Sequence, residues 1–428
     1  MSYKNLNKYI IFFLGLLALL LLVKYALGNG DFKVFLEASK LVMSGQNPYN
    51  KWIFVSEESS CLYFYSPLWA ITLSPFSYFP NFIPNLLWLI ANVYFLYRIW
   101  NLLSLYLDEN FLSGKQIKWI YFLTILMSVR FALYNFEMIQ MTIFLLWGCL
   151  ESLRLINQKN YLLGSFLLAL IINIKIMPIV LIPYLIYRSQ YKGAIFTLLF
   201  SILLLFLPAL FLGWSHNQYL LTEWWSVINP SNPEHLLETE LGPHSLTALI
   251  PTLLSETKGV LPYTRNILNL PINTSIYIMN FIRIILIISS LYFLKWPPFT
   301  PAKSKIYKLR EIGFILLIIP LLFPHQQKYA FILALPAMYF LSWYIVFNFR
   351  SHRLIMKQFR WNIFIFFIIA SFVLMTLTTD SLIGRNLNNL TQHYKTITWG
   401  TLFLLFSLFL APISKSDDTP SSSAASNH

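Results

Sequence analysis

Ionisable and amide side chains interrupt or follow several of the hydrophobic segments of this chain. Carboxylates and imidazoles can accept protons, and ammonium groups can bind phosphate. An ionisable group at membrane depth is energetically costly, so each such residue is a functional candidate by default. Asp31 lies three residues beyond the first hydrophobic segment, and similar positions are held by Gln140, Lys175, His244, His325, Gln326 and Lys328. If they share one face of the membrane, they would line a single cavity.

The composition places these residues in a membrane protein. Hydrophobic residues make up 57% of the 428 residues, aromatic residues 18%, and charged residues only 11%, whereas soluble domains carry about 25% charged residues. The two cysteines, Cys61 and Cys149, are too few for a disulfide framework. The net charge of +14 does not require a nucleic-acid partner, because the basic residues gather in short loops beside the hydrophobic segments.

The hydrophobic segments predict an all-α polytopic protein, since a spanning helix needs about 20 apolar residues. We predict about twelve spans, within a range of roughly 10–13. The segments lie near 9–28, 83–107, 117–133, 138–156, 161–174, 175–188, 193–213, 274–294, 311–323, 329–348, 361–378 and 394–412. Three of them (161–174, 175–188 and 311–323) are short and interrupted by Pro or Lys. The apolar stretch 65–80 contains three prolines and predicts an interfacial helix.

The distribution of Lys and Arg predicts the orientation. Most of these residues fall in the shorter loops, which places both termini in the cytoplasm and two long loops, 29–82 and 214–273, outside. We therefore expect one transmembrane domain over residues 1–412, with its site facing outward. The polar segment 413–428 is expected to be a disordered cytoplasmic tail.

The first outer loop carries a recognisable pattern. Asp31 follows the first span, an Ala-containing helical turn comes next, Gly and then Pro-Tyr follow, and Tyr65-Ser-Pro precedes an apolar stretch. Later landmarks keep their order: Gln140 before a span, IKIMPIVLIPYLIYR, HSLTALI and FPHQQKYAFILALPA. This pattern resembles the membrane mannosyltransferases of glycosyltransferase family 87, over most of residues 1–350.

The resemblance implies a GT-C fold and a defined reaction. Such enzymes use polyprenyl-phosphate-mannose, and an acceptor hydroxyl attacks the anomeric carbon with inversion while lipid phosphate leaves. A carboxylate must then take the hydroxyl proton, and Asp31 is the expected base. The leaving phosphate needs positive partners, for which Lys175, His325, Lys328 and Arg130 are candidates.

The remaining candidates are expected to bind substrate. They are Gln140, His244, Gln326, Tyr49, Tyr65 and Glu37. The partners implied are a polyprenyl-phosphate sugar, a glycolipid or glycan acceptor and the lipids of a bacterial cytoplasmic membrane. Neither a cofactor nor a metal is implied, because a monophosphate-linked donor carries less charge than a pyrophosphate. The oligomeric state stays open.

Each candidate also has a structural interpretation. Asp31 could cap the following helix, Gln140 could cap the next span, and Lys175 could extend from a helix end to the interface. His325 could be a loop histidine with ordinary partners, and Glu37 could lie on the solvated face of its helix. Tyr49 and Tyr65 could belong to an interfacial aromatic belt.

Other function classes remain open from the sequence. A transporter or flippase should show paired halves with broken helices, and no matching halves are visible. A scaffold protein would not need polar residues on one face. A glycan polymerase or ligase with pyrophosphate-linked donors should place arginines in the large outer loop, where Arg265 is the only arginine.

Overall fold

A computed structural model describes residues 3–28, 30–49, 51–55, 60–107, 112–294, 298–302, 304–351 and 358–412. The predicted tail 413–428 lies outside these residues. The described chain is predominantly helical, as expected from its hydrophobic segments. Its two strands, β1 (Ile53–Phe54) and β2 (Ser60–Cys61), pair antiparallel.

The α-helices of the described residues follow one another along the whole chain. They are α1 (Tyr3–Leu27), α2 (Phe32–Met43), α3 (Pro67–Leu73), α4 (Phe82–Ser104), α5 (Gly114–Glu137), α6 (Thr142–Asn157), α7 (Tyr161–Ile174), α8 (Leu181–Tyr187), α9 (Tyr191–Phe206), α10 (Ala209–Leu212), α11 (Trp214–Ile228), α12 (Leu246–Leu254), α13 (Ile272–Leu294), α14 (Lys305–Leu322), α15 (Leu335–Ser351), α16 (Gln358–Phe372), α17 (Asp380–Ile383), α18 (Arg385–His393) and α19 (Thr396–Leu410). Short 3₁₀ helices cover Ser74–Tyr78, Met177–Val180, Pro233–His235 and Lys328–Ala334, and a π-helical turn covers Val373–Leu377.

Six helical segments within the described residues are long and apolar enough to cross a membrane. They are Phe82–Ser104, Gly114–Glu137, Tyr191–Leu212, Ile272–Leu294, Lys328–Asn348 and Gln358–Leu377. A seventh span results if Gly15–Leu27 and Phe32–Met43, which are bent by 44°, cross together. The predicted count of about twelve is therefore not confirmed.

The remaining predicted spans also contain helices, but these are shorter or more polar. Tyr161–Ile174, Met177–Tyr187 and Thr396–Leu410 are apolar and have fewer than 18 residues. The helix α7 ends before Lys175 because Pro178 has no N–H to donate to the Ile174 carbonyl, and its ring would clash with that carbonyl in a continuous α-helix. The stretch predicted to be an interfacial helix forms α3 and a 3₁₀ turn, and Ser39 on α2 donates a hydrogen bond to the carbonyl of Ala70.

The chain divides into two compact units. Unit 1 comprises the described residues within 1–100, 132–182 and 192–232, and unit 2 comprises the described residues within 101–131, 183–191 and 233–412. In unit 1, α6 and α7 pack as an antiparallel hairpin, and an aromatic cluster surrounds Trp88 and Phe144.

In unit 2, α14 and α15 pack against each other and are almost entirely buried. The Phe293 and Phe314 rings stack there with centroids 4.1 Å apart. A buried ion pair joins Arg188 to Glu311, and the Tyr184 hydroxyl donates to the same carboxylate at 3.3 Å. Because burial of a single member of such a pair is costly, these residues hold α8 and α14 in one arrangement.

Candidate active site

Asp31 lies in the turn between α1 and α2, in unit 1. It occupies the position before the first residue of α2, yet its carboxylate makes no capping hydrogen bond to that helix. Instead, the carboxylate accepts a hydrogen bond from the side-chain amide of Gln140. The Asp31 backbone amide donates to the carbonyl of Met138 at 2.9 Å. The capping interpretation of Asp31 is therefore not supported by the geometry of its side chain.

Gln140 is held in place by a tight turn between α5 and α6. Ile139 in this turn has a left-handed φ of 49°, and the Gln140 amide closes the turn by donating to the Asn135 carbonyl at 2.9 Å. The Gln140 carbonyl accepts hydrogen bonds from Trp88 at 3.1 Å and from Asn92 at 3.3 Å. These hydrogen bonds to the backbone amide and backbone carbonyl of Gln140 fix the position from which its side chain extends.

The side-chain amide of Gln140 has one consistent orientation. Its oxygen accepts from the backbone amide of Met141 at 3.3 Å, which leaves the nitrogen to donate to Asp31. The relative exposure is 2% for Gln140 and 9% for Asp31. Gln140 thus bonds one oxygen of a buried carboxylate, and among the described residues no side-chain hydrogen bond to the other oxygen is seen.

Gly30 permits the close approach of the Asp31 turn to the Gln140 turn. A Cβ atom at Gly30 would lie 2.8 Å from the carbonyl oxygen of Met138 and 2.8 Å from Cγ1 of Ile139. Backbone oxygen cannot move away cheaply, so only glycine fits at this position. The glycine before Asp31 is therefore needed for the close packing that places Asp31 beside Gln140.

Lys175 and Tyr65 complete the cluster in unit 1. Lys175 follows the last residue of α7 with extended backbone, and its ammonium lies 5.6 Å from the centroid of the buried Tyr65 ring. The Tyr65 ring packs edge-on against Phe35 with centroids 4.6 Å apart, and its carbonyl accepts from the Tyr49 hydroxyl at 2.9 Å. We call Asp31, Gln140, Lys175 and Tyr65 the Asp31 cluster.

The electrostatics of the Asp31 cluster favour a usable base. Burial raises the pKa of the Asp31 carboxyl above its ordinary value, while the Gln140 hydrogen bond and the positive charge of Lys175 oppose the rise. A carboxylate with a raised pKa has a higher proton affinity, which suits general-base chemistry closer to neutral pH. The cluster combines a proton acceptor with a fixed cation, which together can activate a hydroxyl and bind an anion.

Two further candidates in unit 1 have ordinary structural partners. Glu37 forms an ion pair with Lys40 at 2.7 Å on the same helix, as the solvated-face interpretation expects. Tyr49 is buried beside Tyr63, with ring centroids 5.6 Å apart, and supports the loop that carries Tyr65. Their substrate-binding roles stay predictions.

Unit 2 contains a second polar cluster, centred on Glu238. One carboxylate oxygen accepts from the His325 backbone amide at 2.6 Å and lies 3.0 Å from the His325 ring nitrogen Nδ1. The other accepts from the Ser245 hydroxyl at 2.7 Å. Burial by itself raises the pKa of Glu238, but the hydrogen bonds and charge of His325 and the Ser245 hydrogen bond outweigh it and lower the pKa. We call Glu238, Ser245 and His325 the Glu238 cluster.

His244 lies beside the Glu238 cluster in sequence and is fully buried. Among the described residues, neither ring nitrogen has a hydrogen-bond partner. Burial lowers the pKa of His244 well below its ordinary value, and the positive charges of Lys395, Lys328 and Arg130 lower it further. Burial and these positive charges therefore favour the neutral form of the imidazole. Its backbone amide donates to the Gln326 carbonyl at 2.8 Å.

The cations near His244 are held in different ways. Arg130 donates to the carbonyls of Met375 at 2.6 Å and Thr378 at 2.9 Å, at the end of the π-helical turn. Lys395 is buried, and its ammonium donates to the carbonyls of Glu240 and Leu241. These contacts support a structural role for both side chains, and phosphate binding by Arg130 stays a prediction.

The structure distributes the predicted residues over both units. Unit 1 brings Asp31, Gln140, Lys175, Tyr65 and Tyr49 into one connected cluster, and unit 2 contains His244, His325, Gln326, Lys328 and Arg130. Glu238 and Lys395 were not among the predicted site residues, although both are buried charges in polar sequence segments. Within the described ranges, no group of three or more His, Cys, Asp or Glu side chains could hold a metal ion.

The helices that could cross a membrane, together with the buried polar clusters, define a helical membrane protein. Residues 63–253 match the family model of glycosyltransferase family 87, which confirms the resemblance over this range and indicates a glycosyltransferase. The matched range includes Tyr65, Arg130, Gln140, Lys175 and His244, whereas Asp31 and His325 lie outside it. Neither the curated proteins nor the solved structures compared with the chain contain a match.

Proposed function

We propose that this protein transfers a sugar from a polyprenyl-phosphate donor to a hydroxyl of a glycolipid or glycan acceptor. By resemblance to the family, the sugar is mannose. The transfer takes place at the outer face of a bacterial cytoplasmic membrane, with both termini in the cytoplasm and a GT-C fold. The observation that carries the proposal is the buried Asp31 carboxylate, bonded on one oxygen by Gln140 and close enough to the Lys175 cation to interact with it.

Asp31 is the general base in this proposal. The acceptor oxygen forms a bond to the anomeric carbon, and its proton passes to the free oxygen of the Asp31 carboxylate. The bond between the anomeric carbon and the phosphate oxygen breaks, and polyprenyl phosphate leaves with that bonding pair. Attack opposite the leaving group inverts the anomeric configuration. The raised pKa of Asp31 supports this role, since a hydroxyl is a weak acid and needs a strong acceptor.

Lys175 stabilises the phosphate as it leaves. Negative charge develops on the phosphate in the transition state, and a fixed cation in a poorly solvated site lowers the energy of that charge. Tyr65 limits the movement of the Lys175 ammonium through its ring face. His325, Lys328, Gln326 and His244 lie in unit 2, and the phosphate-binding and substrate-binding roles expected for them stay predictions.

Purified full-length protein in nanodiscs tests the donor class directly. Radiolabelled polyprenyl-phosphate-mannose, polyprenyl-pyrophosphate-linked mannose and a nucleotide sugar would be supplied separately with a membrane lipid extract. Transfer from the monophosphate donor with an inverted product linkage supports the proposal. Transfer only from the pyrophosphate donor would instead indicate a polymerase or ligase. In sealed proteoliposomes, label that crosses the membrane unchanged would indicate a transporter.

A further inference from the structure

A groove lies at the other end of the α6–α7 hairpin from the Asp31 cluster. Gln140 and Lys175 flank one end of this hairpin, where α6 begins and α7 ends. The turn that joins the two helices contains Lys159, at the opposite end. Since α6 has 16 residues, the two ends are roughly 24 Å apart. The groove is therefore separate from the site described above.

The groove has a cationic rim and an apolar lining. Its volume is 480 Å³, within the range of about 300–1,000 Å³ that is usual for small-molecule sites. Two lysines and four apolar or aromatic residues contribute to its walls: Lys159, Lys192, Tyr161, Leu162, Ile195 and Phe196. The lysines of the rim would suit an anion, and the apolar walls would suit an apolar group attached to that anion.

No anionic partner for these two lysines is present among the described residues. Within the described part of the chain, neither ammonium group makes a hydrogen bond or an ion pair, and the Lys192 ammonium lies 6.0 Å from the Tyr161 ring centroid. Lys192 is the second residue of α9, where the helix dipole already favours negative charge. Lys159 lies in the turn between α6 and α7. Two cations on the rim of one groove create a positive potential that a bound anion would relieve.

The walls of the groove are held together by direct contacts between α7 and α9. The Ser165 hydroxyl on α7 donates to the carbonyl of Gly193 on α9 at 2.9 Å. A Cβ atom at Gly193 would lie 2.8 Å from Cγ2 of Ile156, so α9 approaches α6 closely there. The helical walls of the groove are thus a fixed feature of unit 1.

The apolar surface beside the groove indicates a lipid. Leu162 and Ile195 are 62% and 55% exposed, and the exposed face continues along α7 and α9 through Leu163 and Leu199. We propose that this groove binds the headgroup of an anionic phospholipid, with its acyl chains against this face. Lys159 and Lys192 hold the phosphate, in the manner of basic pockets between transmembrane helices. The proposal does not depend on the transferase reaction.

Lipid preference of the full-length protein in neutral detergent tests the proposal. Native mass spectrometry would compare binding of phosphatidylglycerol and phosphatidylcholine to wild type, to Lys159→Gln/Lys192→Gln and to a control, Lys115→Gln/Lys118→Gln. The control removes the same charge from exposed positions on α5, outside the groove. Wild type and control should prefer phosphatidylglycerol, and the groove variant should lose that preference by roughly thirtyfold.

Several results would overturn the proposal. Retention of the preference by the groove variant would remove the lysines from lipid binding, and an equal loss in the control would reduce the effect to general surface charge. Displacement of phosphatidylglycerol by inorganic phosphate at equal concentration would indicate a soluble anion as the ligand. The charge-conserving variant Lys159→Arg/Lys192→Arg should keep the preference, and its loss would likewise contradict the proposed contacts.

Discussion

Replacement of Gln140 by Leu tests how the Asp31 carboxylate is controlled. Leu keeps approximately the same side-chain length but removes the amide that donates to Asp31. In this buried position the carboxylate would have to ionise without its side-chain donor, so its pKa rises further. The variant should keep the wild-type backbone, because the side chains of Trp88 and Asn92 donate hydrogen bonds to the backbone carbonyl of residue 140. The substitution does not remove that carbonyl.

The size of the effect follows from the kind of hydrogen bond that is lost. A hydrogen bond to a charged group contributes about 1.5–3 kcal/mol, and each tenfold change in a protonation equilibrium corresponds to about 1.36 kcal/mol. The acid limb of kcat/KM should therefore move to higher pH, with activity on that limb roughly ten- to hundredfold lower. At a pH above the new limb, much of the rate should return.

The assay is sugar transfer from polyprenyl-phosphate-mannose over a range of pH. Asn217→Leu is a suitable control, since it removes another buried amide in unit 1, which donates to the Leu205 carbonyl at 3.1 Å. The control should keep the wild-type pH profile. A Gln140→Leu profile that superimposes on wild type would refute the reasoning that Gln140 regulates the ionisation of the base.

Two further substitutions test the cations and the second cluster. Lys175→Ala should raise the KM for the lipid-phosphate donor about tenfold or more and leave the acceptor KM nearly unchanged. Steady-state kinetics in which each substrate is varied in turn would measure both constants. Equal increases in the two KM values would assign Lys175 a structural role. Glu238 has a lowered pKa in the folded protein, so its ionised form stabilises the fold at neutral pH and this contribution disappears as the pH falls through that lowered value. Glu238→Gln should therefore lower the Tm at pH 7 and make the Tm depend less on pH in the acidic range. A variant with the wild-type Tm at pH 7 would contradict the role of Glu238 as the partner of His325.

The sequence selected Asp31 and Gln140 for their positions beside apolar segments and for the resemblance to family 87. The structure joins their side chains by a hydrogen bond, and their functional roles stay predictions. The number of spans was harder to predict, since a buried helix and a spanning helix share an apolar composition. The helix Thr396–Leu410, for example, is apolar but has only 15 residues.

Glu238 and Lys395 show what local patterns leave out. The carboxylate of Glu238 meets His325 across 87 residues of sequence, and Lys395 meets the carbonyl of Glu240 across 155 residues. Contacts between residues so far apart in the sequence arise from tertiary packing, and no periodic pattern in the sequence predicts them. Ionisable residues in polar loops also look solvated until the fold shows that they are buried.

The central claim is that the Asp31 carboxylate accepts the proton of the acceptor hydroxyl. The most direct measurement is the rate of sugar transfer by purified wild type, Asp31→Asn and the control Asp380→Asn in nanodiscs, with expression and melting temperature checked for each. The control makes the same change at an exposed position. The account predicts that Asp31→Asn folds normally and transfers sugar roughly 10²–10⁴-fold more slowly, while Asp380→Asn stays near wild type. A near-normal rate for Asp31→Asn, with wild type active, would contradict it.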